Sequence, residues 1–299
     1  MTEREIKWCS EPGCYFAALH MSDECWEHQK DAGGYLEGLR SAAKSGRDMS
    51  GANLAKIVAE GLEIRDAHLS GAILRGARIS GLAASGSDLR GADLSMTTMD
   101  GAKLDGADLR GANLEGAALD AADARKATLG AARLAGASLV GLSATGADLS
   151  DCDLRYCSLG DAALDGAVLR GARLELAGLR NADLSRADMS FAVLGRADLR
   201  GARMEGAVLK RANLVGARLR DAFMQGVDFY YARLGMTDLR GADLSRASLR
   251  RAVCREADLR GAKMKGARVY GAIFERALLS GADTESVDFS GCNMKGVQR

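Results

Sequence analysis

The sequence predicts an all-β fold: a four-sided parallel β-helix preceded by a small Cys/His-rich, partly helical segment. Three observations lead there. An apolar residue recurs at every fifth position, small residues dominate the composition, and the composition changes sharply before Met49. Of the 299 residues 47% are hydrophobic yet only 5% aromatic, with 37 Gly and a single Pro. A compact core of this size normally uses bulkier side chains. Interspersed charge leaves no apolar run of about 18 residues, so no transmembrane helix is expected. The start, MTEREIKWCSEPGC, has no apolar signal-peptide core. Apolar content is too high, and a net charge of +1 too low, for disorder. Gly lacks the three-residue period of collagen.

The first element is residues 1–48, expected to be a separate capping module. It holds Pro12, Trp8, Trp26 and the spacing Cys9-x4-Cys14-x10-Cys25-x2-His28. Ser22 suits the N-cap of a helix starting at Asp23, which would put Cys25 and His28 on one face. Three thiolates and one imidazole make a closed tetrahedral set, so Cys9, Cys14, Cys25 and His28 are the expected structural zinc ligands, with His20 in reserve. Such a metal would fold a segment too small for its own core. The alternative is three reduced cysteines beside a surface histidine. Tyr35 through Ala43 then reads as a short amphipathic helix ending at Gly46. It is placed to cover the first coil, whose open β edge would otherwise be sticky.

The second element, residues 49–299, is the repeat. Examples are Ala52-Asn53-Leu54, Ala92-Asp93-Leu94, Ala107-Asp108-Leu109, Ala182-Asp183-Leu184 and Ala242-Asp243-Leu244. With the large residue taken as the centre, 49 centres run in phase from Leu54 to Met294; 43 are Leu, Ile, Met, Val or Phe, and 37 have Ala two residues earlier. A five-residue period smears over every face of an α-helix and flips sides on a straight strand. It works only if the chain turns a corner once per pentad. Ala and the centre then point inward, the residue between them points outward, and the next two residues form the corner.

The centres also indicate how many sides there are. Sorted at 20-residue intervals, Ala84, Ala124 and Ala144 fall in one class with Met204, Met224 and Met264. Sorting at 15 scatters them, so four pentads per coil fit better. Ile57/Ala59, Leu82/Ala84 and Leu142/Ala144 exchange the large and small residues, which conserves volume. Ala122 and Ala124 are not compensated, which predicts a local void or a neighbour leaning in.

Pentads such as Ala-Asp-Leu-Arg-Gly and Ala-Asn-Leu-Glu-Gly resemble the pentapeptide-repeat family, whose consensus is A(D/N)LXX. The resemblance covers roughly four-fifths of the chain. It implies a right-handed quadrilateral β-helix of about twelve coils at about 4.8 Å spacing, a quasi-one-dimensional solenoid that needs capped ends.

Little in the repeat suggests catalysis. Cys152, Cys157 and Cys292 take the Ala position and Cys254 is a centre, so all four should point inward as small apolar residues. That usage suits a reducing, cytoplasmic compartment. His68 is outward, and no Walker or dinucleotide fingerprint occurs. The charge distribution says more. Residues 1–160 carry 17 Lys+Arg against 23 Asp+Glu, and residues 161–270 carry 21 against 13. In the basic part Arg180, Arg200, Arg220, Arg240 and Arg260 recur at 20-residue intervals and should stack up one side, with Asp198, Asp238 and Asp258 nearby. This is an anion-binding stripe or a salt-bridged surface.

The leading expectation is a non-catalytic scaffold for a macromolecular partner, most simply a protein. The family resemblance adds a modulator of a type II topoisomerase such as gyrase, since some members mimic DNA and protect gyrase from drugs. A net charge near zero and a basic second half weaken that carry-over. Polyanion or nucleic-acid binding through the Arg stripe is the third reading. A dimer or end-to-end oligomer is expected from the thinly covered last coil near Phe289 and Met294.

Overall fold

A computed structural model describes residues 9–12 and 18–299. The pentads close in the same way, save at Ile64, where the Ser87 hydroxyl stands between the Ala67 amide and the Ile64 carbonyl. The carbonyl of a centre accepts from the amide three residues on, as Leu69 does from Ala72 at 3.0 Å. The residue just before that donor has a left-handed backbone, as at Gly71 with φ 65°. This is the type II corner, which needs positive φ at its third position and so favours Gly.

Bridges then join each outward residue to the one 20 positions later, always in parallel, from Asp48↔His68 to Leu278↔Gln298. Along one ladder Leu74 donates to Asp93 at 2.7 Å and Ile73 donates to Ala52 at 2.8 Å. The 20-residue register gives four ladders and therefore four sides. The chain is a right-handed quadrilateral β-helix. One ladder is interrupted: among the described residues no bridge joins Arg268 to Asp288, although Ser248↔Arg268 forms.

The corner also explains the outward Asp or Asn. Its side-chain oxygen accepts from the amide two residues on, as Asp88 does from Arg90 at 3.2 Å and Asn53 from Ala55 at 3.2 Å. A corner amide that would otherwise lack a partner is thus capped locally.

The interior is a continuous apolar stack from Leu19 to Leu279. The exchanged pairs Leu82/Ala84 and Leu142/Ala144 are buried as volume conservation requires. A narrow cavity of about 20 Å³ runs within the stack between Leu104 and Leu169, and Ala124 is the one small side chain among the leucines that line it. The uncompensated small centre therefore leaves a void. Polar residues at inward positions are satisfied at once: Ser87 donates to the Ile64 carbonyl at 2.6 Å and Thr97 to that of Leu94 at 2.7 Å.

Helix α1 spans Ala32–Lys44. It starts three residues before the expected Tyr35, because Asp31 accepts from Gly34 at 2.8 Å and caps it. Tyr35, Leu39, Ala42 and Ala43 join the same apolar cluster as Met49, Ala52 and Leu54. Ahead of α1 the His20 amide donates to the Asn53 carbonyl at 2.7 Å, and Asn53 Nδ2 donates to the Ala18 carbonyl at 2.7 Å. The segment thus hydrogen-bonds directly to the strand edge of the first coil.

Candidate functional site

Among the described residues, one group of three metal-ligating side chains converges: Cys9, Cys25 and His28, whose donor atoms lie within 4.8 Å of one another. The expected helix from Asp23 does not form. Ser22 instead accepts from the Glu24 amide at 3.0 Å, and a 3-10 turn covers Trp26–His28. A 3-10 turn eclipses positions three apart, so it still brings Cys25 and His28 together. Both thiol sulfurs lie 3.4 Å from His28 Nδ1. Burial opposes ionisation of Cys9. The backbone amides of Cys25 and Glu11, with His28 and Cys25 side chains, outweigh it and bring the thiol down to about 6. A thiolate poised near neutrality beside an imidazole is the donor chemistry a zinc ion takes. Cys14 lies outside the described residues. His20 is not in the group.

The other cysteines show the contrast. Cys152, Cys157 and Cys254 are buried and burial pushes each up to about 12, while Cys292 is half-buried. Cys152 and Cys157 donate to the carbonyls of Leu129 and Leu134 at 3.0 and 2.9 Å. They are core fillers held as neutral thiols.

On the surface the register sorts side chains into columns. Arg180, Arg200, Arg220, Arg240 and Arg260 follow one column, as their 20-residue spacing requires. Three are engaged by the Asp two positions earlier: Arg200, Arg240 and Arg260 each grip Asp198, Asp238 and Asp258 through Nε and Nη2. Arg240 also lies 3.6 Å from Asp258 in the next coil, and Arg220 lies 3.3 Å from Asp221. The same Asp-x-Arg pairing occurs at Asp88, Asp108, Asp123 and Asp153, with Ala124 in place of Leu at the third of these. The bound guanidinium lowers each of these carboxyls, Asp108 to about 2.

The sequence model of pentapeptide repeats matches stretch after stretch, including 84–116, 117–155, 157–194 and on to 266–296. The chain belongs to the pentapeptide repeat family. Solved pentapeptide repeat structures similar to it include HetL, involved in heterocyst differentiation regulation in the cyanobacterium Nostoc. It is 32% identical over 81% of this chain and 95% of that one, with a TM-score of 0.28. A trypsin-treated variant of QnrB1, a plasmid-mediated fluoroquinolone resistance protein, is 19% identical over 82% of this chain and 90% of that one, at 0.34. A thylakoid-lumen pentapeptide repeat protein of Arabidopsis thaliana is 37% identical over 32% of this chain and 67% of that one, at 0.22. No curated protein matches.

This pentapeptide repeat protein carries one surface feature that the sequence reading missed. On a different corner from the Arg180–Arg260 column, the left-handed position runs Gly91, Gly111, Ala131, Asp151 and Gly171, then Phe191, Arg211, Tyr231 and Arg251, then Gly271. Sorting corner residues at 20-residue intervals, as was done for the centres, would have exposed it. No described helix is long and apolar enough to cross a membrane.

Proposed function

We propose that this chain is a non-catalytic interaction scaffold that offers its long sides to a macromolecular partner, most simply a protein. The observation that carries this reading is the division of labour in the coil. Inward positions are filled by Ala, Leu and their substitutes, while chemistry-bearing side chains repeat outward in registered columns. Among the described residues, charged groups pair along the surface, as the Asp-Leu-Arg grips do, and none of these pairs is buried in a pocket. Residues 1–48 act as the cap of the first coil. A structural zinc at Cys9, Cys25 and His28, with Cys14 as the fourth ligand, fastens them. The neutral buried thiols suit a reducing, cytoplasmic setting.

The test is affinity capture with the full chain, repeated with Arg200→Glu plus Arg240→Glu and with variants on the other corners. A partner retained by the native chain and lost on altering one surface column supports the scaffold reading. Failure to retain any macromolecule sinks it. A supercoiling assay with gyrase, with and without a quinolone, separates the topoisomerase alternative: supercoiling unaffected by micromolar protein removes that alternative.

A further inference from the structure

The corner that holds Phe191, Arg211, Tyr231 and Arg251 forms a continuous stack. Arg170 sits 4.7 Å from the Phe191 ring centroid, and Arg211 lies 5.8 Å from Phe191 and 5.9 Å from Tyr231. Arg251 lies 5.4 Å from Tyr231, and Arg250 5.8 Å from Tyr230. The two tyrosines meet edge to face at 4.6 Å. Phe191 and Tyr231 remain 43% and 38% exposed, and Tyr270, one coil beyond Arg250, is 65% exposed. Planar groups thus alternate ring, guanidinium, ring, guanidinium along a line. All four also hold left-handed backbone, with φ between 57° and 63°. That position costs a Cβ-bearing residue about 1 kcal/mol or more, and Gly serves it in neighbouring coils.

The surroundings are basic. Lys210, Arg233 and Arg268 flank the stack, against Asp188 and Asp228; Asp228 is partly occupied by Lys210 at 3.4 Å. The line ends in an open groove of about 390 Å³ lined by Arg250, Arg268, Tyr270 and Asp288. The groove lies where the ladder breaks between Arg268 and Asp288.

We propose that this corner binds single-stranded nucleic acid. Bases stack on the rings of Phe191, Tyr231 and the exposed Tyr270, taking the ring faces from Arg170, Arg211 and Arg251, which then hold phosphates together with Lys210, Arg250 and Arg268. Interleaved rings and cations are the recognition chemistry of single strands, because every base has a π face and every linkage a charge. The coil spacing decides between single and double strands. Consecutive rings, two coils apart, lie about 9.6 Å from one another at about 4.8 Å per coil, far wider than the roughly 3.4 Å step of a duplex strand. Only a strand free to unstack can follow them. An acidic protein surface would need the cations but has no use for a regular file of rings. The span from Arg170 to Tyr270 is five coil steps, about 24 Å, room for about four nucleotides. The inference rests on the scaffold reading and names the partner class of one corner.

The test is fluorescence anisotropy of the full chain with a labelled oligothymidylate and with a duplex of equal length, at low and high salt. The native chain is expected to bind the single strand in preference to the duplex, more weakly as salt rises. Phe191→Ala with Tyr231→Ala should weaken binding at least about tenfold, from the stacking lost per base, and Arg211→Glu should weaken it similarly. Arg180→Ala with Arg220→Ala, on the other corner, should change it less than about threefold, as loss of general charge would. Circular dichroism and melting of each variant establish that it is folded. No binding of the oligonucleotide, equal binding of the duplex, or undiminished binding by the folded ring variant overturns the proposal. If binding fails but a protein partner is captured through this corner, the nucleic-acid inference falls and the scaffold reading stands.

Discussion

Asp108 and Arg110 show how a short motif settles a surface. The Asp oxygen first caps the corner amide of Arg110 at 3.2 Å, and the same carboxylate then receives the guanidinium. Arg holds Asp88, Asp108, Asp123, Asp153, Asp198, Asp238 and Asp258 below the usual carboxylate range, chiefly by hydrogen bonding. A carboxyl whose folded pKa is depressed contributes stability above its unfolded value near about 3.9 and loses it as pH falls through the folded value. The melting temperature should therefore hold down to about pH 4 and fall between about pH 4 and 2. Asp108→Asn should flatten part of that slope in a melting series; an unchanged slope counts against the pairs. Each exposed pair is worth little alone, so the effect belongs to the set. At the other polar cluster, protein purified without chelator should carry about one zinc per chain, and Cys25→Ser or His28→Ala should cut that to below about half. Elemental analysis decides. Cys25 and His28 were legible from their spacing, whereas the turn that joins them was not. A 3-10 turn and one turn of α-helix bring the same two positions together, and Ser22 accepts from the Glu24 amide ahead of the turn without capping it.

At the scale of the element, the corner and the helix make separate claims. Gly71 has φ 65° and nothing within 4 Å of where a Cβ would stand. Gly71→Ala should thus destabilise by about 1 kcal/mol through backbone conformation alone, read as a shift in the urea midpoint. An unchanged midpoint would mean that the corner relaxes freely. In α1, Leu39 is buried against the first coil. Leu39→Ala should cost about 2–4 kcal/mol if the helix unfolds together with the repeat. A separate early transition, with the main melt unmoved, would show that the helix docks without sharing the cooperative unit. The pentad was legible because a five-residue period excludes both straight elements. The four sides were legible because volume must be conserved between stacked coils. The Phe191–Arg251 column was not, since its residues occupy corner positions that tolerate Gly and many other residues alike, and packing imposes no pattern on side chains that face water.

For the whole molecule, stability is close to a sum over neighbouring coils, since every ladder contact spans one 20-residue step. Damage and repair should therefore stay local. The void beside Ala124 is a natural site for repair: Ala124→Val should raise the melting temperature, by an amount near the roughly 1 kcal/mol typical of cavity filling. A lower melting temperature would show the surrounding leucines already in van der Waals contact. The four-sided coil was expected from the repeats and its right hand from the family resemblance; the 20-residue register bears out the four sides, and the family match carries the hand. What the repeats leave open is which column faces a partner, because the core is indifferent to the residue between Ala and Leu.

That indifference separates two properties that are usually locked together. Inserting one extra pentad after Gly146 would keep an Ala-like and a Leu-like residue inward at every step, although each later centre would stack in a neighbouring column and the core would have to repack at the junction. Everything after the insertion would then be displaced by a quarter turn around the axis. The Phe191–Arg251 column would move to the adjacent corner relative to the first half and to α1, with its internal spacing intact. An insertion of four pentads would restore the azimuth and only lengthen the body. The fold therefore contains a dial as well as a ruler: the direction in which a surface points can be reset in steps of ninety degrees at the cost of repacking one junction of the core.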